Sequence, residues 1–75
     1  MIPYISTSGK KTGATAYEIG EDFIVVEFYK TNYLYTYSSA GSYNVDTMKE
    51  LALASSGLSS FISRNKPKYQ TKFNT

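Results

Sequence analysis

The stretch "FYKTNYLYTY", Phe28 to Tyr37, decides how this chain folds, because a turn signal leads into three tyrosines at every second position. Alternate residues of a β-strand share a face, so Tyr33, Tyr35 and Tyr37 form one row, and the loop before them sets which face that row joins. A three-residue loop of Lys30, Thr31 and Asn32 suits a type I turn followed by a left-handed residue, a place that Asn tolerates. Tyr29 then pairs with Tyr33, Phe28 with Leu34, Glu27 with Tyr35, Val26 with Thr36 and Val25 with Tyr37. One face becomes Ile24, Val26, Phe28 and Leu34, which is apolar enough to be the core side. The other face carries Val25, Glu27, Tyr29 and the tyrosine row, exposed to solvent. A two- or four-residue loop sets the tyrosines against Val26 and Phe28 instead and makes them core.

Outward from this stretch, the N-terminal side repeats the β signature. "ATAYEI" and "DFIVVEFY" are rich in β-branched and aromatic residues and are separated by a turn at Gly20 and Glu21. Residues 14–38 therefore read as a three-stranded antiparallel meander. "STSGKKTG", Ser6 to Gly13, has the glycines and hydroxyl residues of a loop, and residues 1–13 are expected to be a flexible arm. On the C-terminal side the period changes. Val45, Met48, Leu51, Ala52 and Ser55 recur at helical spacing, with Ser42 or Asn44 able to cap, which predicts a helix over Val45 to Ser56. Gly57 breaks it, and Leu58, Phe61 and Ile62 give a second apolar face that Pro67 must end. The expected fold is α+β: residues 14–38 as sheet, 44–66 as two short helices packed on one sheet face, and 67–75 as a basic tail.

Composition narrows the chemistry. A single domain of 75 residues has no Cys and no His, which excludes disulfides, Cys/His metal clusters and every catalytic triad or dyad built on imidazole or thiolate. No cofactor or metal is expected. The carboxylates Glu18, Glu21, Asp22 and Glu27 read as turn and strand-face residues, and the serines of "SSGLSS" as caps of the second helix, so the chain is expected not to be an enzyme. "MIPYISTSGKK" lacks a basic region followed by an apolar run, and nothing approaches the ~20 apolar residues of a membrane span. A cytoplasmic protein with no membrane partner is the expectation.

The ordered run "YEIGEDFIVVEF", "YLYTY", "SAG", "MKELALAS", "GLSSFI" and "KY" at Lys68 and Tyr69 resembles the KTSC domain, a family named for the C-terminal extension of some lysyl-tRNA synthetases. The resemblance covers nearly the whole chain. The family's Tyr-x-Tyr mark is matched by Tyr35 and Tyr37, or by Tyr33 and Tyr35, while "KTN" stands where the second hairpin often has a glycine. The resemblance implies a small binding domain of unestablished function for which RNA binding has been proposed.

Two features of the residues themselves agree with RNA. Tyrosines on a sheet face are a platform on which unpaired bases stack. From Arg64 onward, Arg64, Lys66, Lys68 and Lys72 stand with no acidic residue and with Tyr69 and Phe73 among them, a pattern suited to a phosphate backbone with stackable bases. Lys10 and Lys11 extend this basic character without Walker-motif spacing. The expected nucleic-acid-binding residues are thus Tyr33, Tyr35, Tyr37, Arg64, Lys66, Lys68 and Lys72. The alternative partner is a protein, or a second copy of the chain, docked on the same tyrosine face.

Overall fold

A computed structural model of the chain describes residues 1–4 and 13–74. The segment expected to be an arm thus lies largely outside the described residues, Lys10 and Lys11 included. The fold is α+β: a five-stranded antiparallel sheet whose strands lie in sequence order, with three helices. The strands are β1 (Ile2–Pro3), β2 (Ala14–Ile19), β3 (Phe23–Phe28), β4 (Thr31–Thr36) and β5 (Thr71–Asn74). Three helices, α1 (Tyr37–Ala40), α2 (Ser42–Leu53) and α3 (Leu58–Asn65), fall between β4 and β5. No helix among the described residues is long and apolar enough to cross a membrane.

The expected three-stranded meander is present as β2–β3–β4, with β4 beginning two residues earlier than expected and ending at Thr36, and a further strand lies on either side. Ile2 pairs with Tyr17 and Pro3 with Ala16, so the first residues of the expected arm are sheet. Pro3 is admissible there because an edge strand need not donate from every position. Tyr4, 5% exposed, anchors this end: its amide donates to the Thr15 carbonyl at 3.0 Å, and its hydroxyl accepts from the Leu58 amide at 3.1 Å. The expected tail is also partly sheet, with Thr71 paired to Leu34 and Phe73 to Asn32. β5 thereby satisfies backbone groups that β4 would otherwise present as an open edge.

The hairpin between β3 and β4 corrects the expected register. Phe28 pairs with Thr31, Val26 with Tyr33 and Ile24 with Tyr35, so the loop is the two residues Tyr29 and Lys30. Tyr29 takes φ +58°, the positive value that two-residue hairpin turns require at their first central position to match the sheet twist. The shift flips every β4 side chain. Tyr33 and Tyr35 join Ile24, Val26 and Phe28 on the helix-covered side, whereas Leu34 moves to the opposite side with Val25 and Asn32. Asn32, expected as the left-handed turn residue, is instead a buried strand residue.

The core forms between this side of the sheet and the helices. Ile24, Val26, Val45, Met48, Ala52 and Leu58 are fully buried, with Tyr4, Ala14, Tyr17 and Tyr35 beside them. Phe28, Leu51, Phe61 and Ile62 pack against that cluster partly buried. α2 presents Val45, Met48 and Ala52, the helical spacing seen in the sequence. It ends earlier than expected, however. Ser55 adopts φ +55°, the Ser56 amide donates to the Leu51 carbonyl, and the Ser55 amide donates to the Ala52 carbonyl, which together make a Schellman motif. Gly57, φ +82°, is the N-cap of α3, and no serine side chain caps that helix. Ser59 instead accepts from the Ala14 amide at 3.2 Å, tying α3 to β2.

Candidate nucleic-acid interface

The tyrosine row does not survive as one surface. β4 stops at Thr36, whose side chain caps α1 by accepting from the Ser39 amide, while the Ser39 hydroxyl accepts from the Thr36 amide. Tyr37 is consequently the first residue of a helix and leaves the strand. Of the expected platform, Tyr35 is 3% exposed, Tyr33 half-buried and Tyr37 exposed away from both. An exposed three-tyrosine ladder is therefore excluded by the register and by the cap.

Tyr37 has its own partners. Its hydroxyl donates to Asp46 Oδ1 at 2.6 Å, and Lys49 Nζ lies 5.3 Å from its ring centroid. Lys49 also donates to the Glu21 carbonyl at 2.8 Å. The hydrogen bond to Asp46 pushes the Tyr37 phenol above its ordinary pKa, because the bond is lost if the proton leaves. This cluster joins the β2–β3 turn to α2.

Tyr33 and Tyr35 instead meet the segment that follows α3. A wide-mouthed cleft of about 620 Å³ is lined by Tyr33, Tyr35 and Tyr69, by Ile62 and Pro67, and by Lys66 and Lys68. The Tyr33 and Tyr69 rings meet edge to face at 5.0 Å, and Phe28 continues the contact on the other side of Tyr33 at 5.7 Å. Burial is the main cause that pushes the Tyr35 phenol up to about 12, with the neighbouring phenols of Tyr33 and Tyr69 adding to it. Tyr35 is thus a neutral hydroxyl at the cleft at any physiological pH.

Pro67 is buried and places the two lysines on either side of a fixed point in the chain. Lys66 and Lys68 are exposed, and among the described residues neither side-chain ammonium has a hydrogen-bond or ion-pair partner. Among the described residues no carboxylate lines the cleft. Of the seven residues expected from sequence, the fold gathers Tyr33, Tyr35, Lys66 and Lys68 here. Arg64, in the last turn of α3, and Lys72, paired with Tyr33 on β5, lie outside the lining, and Tyr37 is elsewhere. Tyr69 belongs to the site though it was not among the seven; its place between Lys68 and Lys72 was the available signal.

The four carboxylates singled out from the sequence do not meet in one place. Glu21 and Asp22 sit at the β2–β3 turn, Glu18 is exposed on β2, and Glu27 accepts from the Thr15 hydroxyl at 2.7 Å. Among the described residues no three acidic side chains are grouped to hold a metal ion. Compared with known proteins, the chain matches no family model, no curated protein and no solved structure.

Proposed function

We propose that this chain is a non-enzymatic, cytoplasmic RNA-binding module of KTSC type, which takes an unpaired segment of RNA in the Tyr33–Tyr69 cleft. The observation that carries the proposal is the joining, in one cleft, of aromatic rings with two ammonium groups that have no partner, and with no carboxylate, among the described residues. Base stacking on aromatic side chains and phosphate attraction to lysine are the two terms by which single strands are held. A cleft of this size lies within the usual range for small-ligand sites, so the reading is one of a few nucleotides rather than a duplex.

Fluorescence anisotropy with short single-stranded RNA tests it. Tyr69, 44% exposed, can be removed without opening the core, so Tyr69→Ala should remain folded and lose roughly 1 to 3 kcal/mol of binding. Absence of binding to any single-stranded RNA pool at low salt overturns the proposal.

A second reading, protein interaction or self-association, draws on a different observation. Met1, Ile2 and Leu53 are 51%, 53% and 68% exposed and, with Ile19, surround an apolar cleft of about 500 Å³ at the opposite edge of the sheet. Contiguous exposed apolar surface is the usual mark of an interface. Concentration-dependent sedimentation abolished by Leu53→Glu is the expected result if that patch associates.

A further inference from the structure

Lys66 stands in a conformation that lysine is poorly suited to. Its φ of +45° and ψ of +54° are left-handed, a region that crowds the Cβ of any L residue. The position is the one just past a helix end, where the amide donates back to the Ile62 carbonyl at 2.9 Å and where glycine is the ordinary occupant. The next residue, Pro67, further restricts the backbone before it. Glycine would relieve the strain, and of the three other helix-flanking positions of this sign the chain places glycine at two, Gly41 and Gly57, and serine at the third, Ser55. Three non-glycine residues have positive φ among the described residues, Tyr29, Ser55 and Lys66, and of these Lys66 is the one in the lining of the Tyr33–Tyr69 cleft. Strain retained at a ligand cleft marks a side chain that the site uses.

We propose that the cleft is a site for a single nucleotide, with the base against the Tyr33 and Tyr69 rings and the phosphate held by Lys66 and Lys68, and that Lys66 occupies its strained cap position in order to reach that phosphate. The unpaired state of both ammonium groups and the lack of any carboxylate in the lining, among the described residues, give the charge complementarity. For the source of the nucleotide the proposal rests on the RNA reading of the same cleft; a free nucleoside monophosphate offers the same chemistry.

Calorimetric titration and thermal unfolding of three proteins, the parent, Lys66→Gly and Lys66→Gln, test it with adenosine monophosphate, adenosine, inorganic phosphate and a short single-stranded RNA as probes. The expected result is one adenosine monophosphate per chain, bound more tightly than adenosine or phosphate alone. Lys66→Gly should raise the melting temperature yet weaken adenosine monophosphate about tenfold or more, the size of one charge-assisted hydrogen bond. Lys66→Gln should weaken it equally without the gain in melting temperature. Equal affinity of parent and Lys66→Gly overturns the inference, as does RNA binding without mononucleotide binding, and in both cases the RNA reading stands. Mononucleotide binding without RNA binding makes the site one for free nucleotides and overturns the RNA reading. If no probe binds, both fall.

Discussion

Tyr35 and Tyr37 are two positions apart in the sequence and come to opposite ends, one as core and one as a surface hydrogen-bond donor. Because Tyr35 is 3% exposed, Tyr35→Ala should destabilise the protein by roughly 3 to 5 kcal/mol, as for other large aromatic truncations, and urea unfolding measures it. A loss under about 1 kcal/mol would return the tyrosines to the surface and reinstate the three-residue loop. Its phenol supplies a pH test. The folded value is raised to about 12 from the ordinary 10.0, so the folded state holds this proton more tightly than the unfolded one. Its contribution is then fully present below pH 10 and is lost as pH rises from 10 to about 12. Tyr35→Phe should flatten that part of the stability profile and remove from the parent's titration a phenolate absorbance step at about pH 12. The Tyr-x-Tyr spacing was legible in the sequence, but the face it joins was not. Hydropathy puts Leu34 inside and Asn32 outside, whereas the fold buries Asn32 to 2% exposure with its Oδ1 unpartnered and leaves Leu34 half-buried on the same side of the sheet.

Elements long enough to show a period were readable, and the short ones were not. β2, β3, β4, α2 and α3 span six to twelve residues and announce themselves by alternation or by helical spacing. β1, α1 and β5 have two, four and four residues, too few for either signal, and each forms because a neighbour supplies partners: β2 for β1, the Thr36–Ser39 capping box for α1, and β4 for β5. Helix ends misled for a related reason. Gly57 is the strongest breaker in its region, yet α2 is closed two residues earlier by Ser55 in the left-handed region, and Gly57 opens α3 instead. Serine bears a Cβ that crowds this conformation, and glycine does not. Ser55→Gly should therefore raise stability by about 1 kcal/mol, seen as a higher urea midpoint with unchanged slope. A lower midpoint would mean that the Ser55 side chain contributes more than its backbone strain costs.

The net charge of +2 conceals a separation that only the folded molecule brings out. Glu21, Asp22 and Asp46 gather around Tyr37 and Lys49, where the β2–β3 turn meets α2. Arg64, Lys66, Lys68 and Lys72 lie between the end of α3 and β5, beside the tyrosine cleft. The molecule measures 32 × 25 × 21 Å, and charges further apart than about 8 Å are largely screened from one another at physiological salt. On the RNA reading proposed above, a phosphate backbone in the cleft would meet Lys66 and Lys68 in its lining, with Arg64 and Lys72 on the flanking α3 and β5. If each of the four neutralises one phosphate of a single strand, log affinity should fall against log salt with a slope of about 3, from roughly 0.7 per contact. Replacing Lys66 and Lys68 together by Gln should bring that slope to about half, because two of four contacts are removed and Arg64 and Lys72 remain. Tyr69→Ala should weaken binding at every salt concentration and leave the slope where it was, since stacking releases no counterions. One titration series therefore separates the two halves of the cleft. A slope unmoved by the double lysine substitution would place the phosphates somewhere other than on Lys66 and Lys68, and with them the strand.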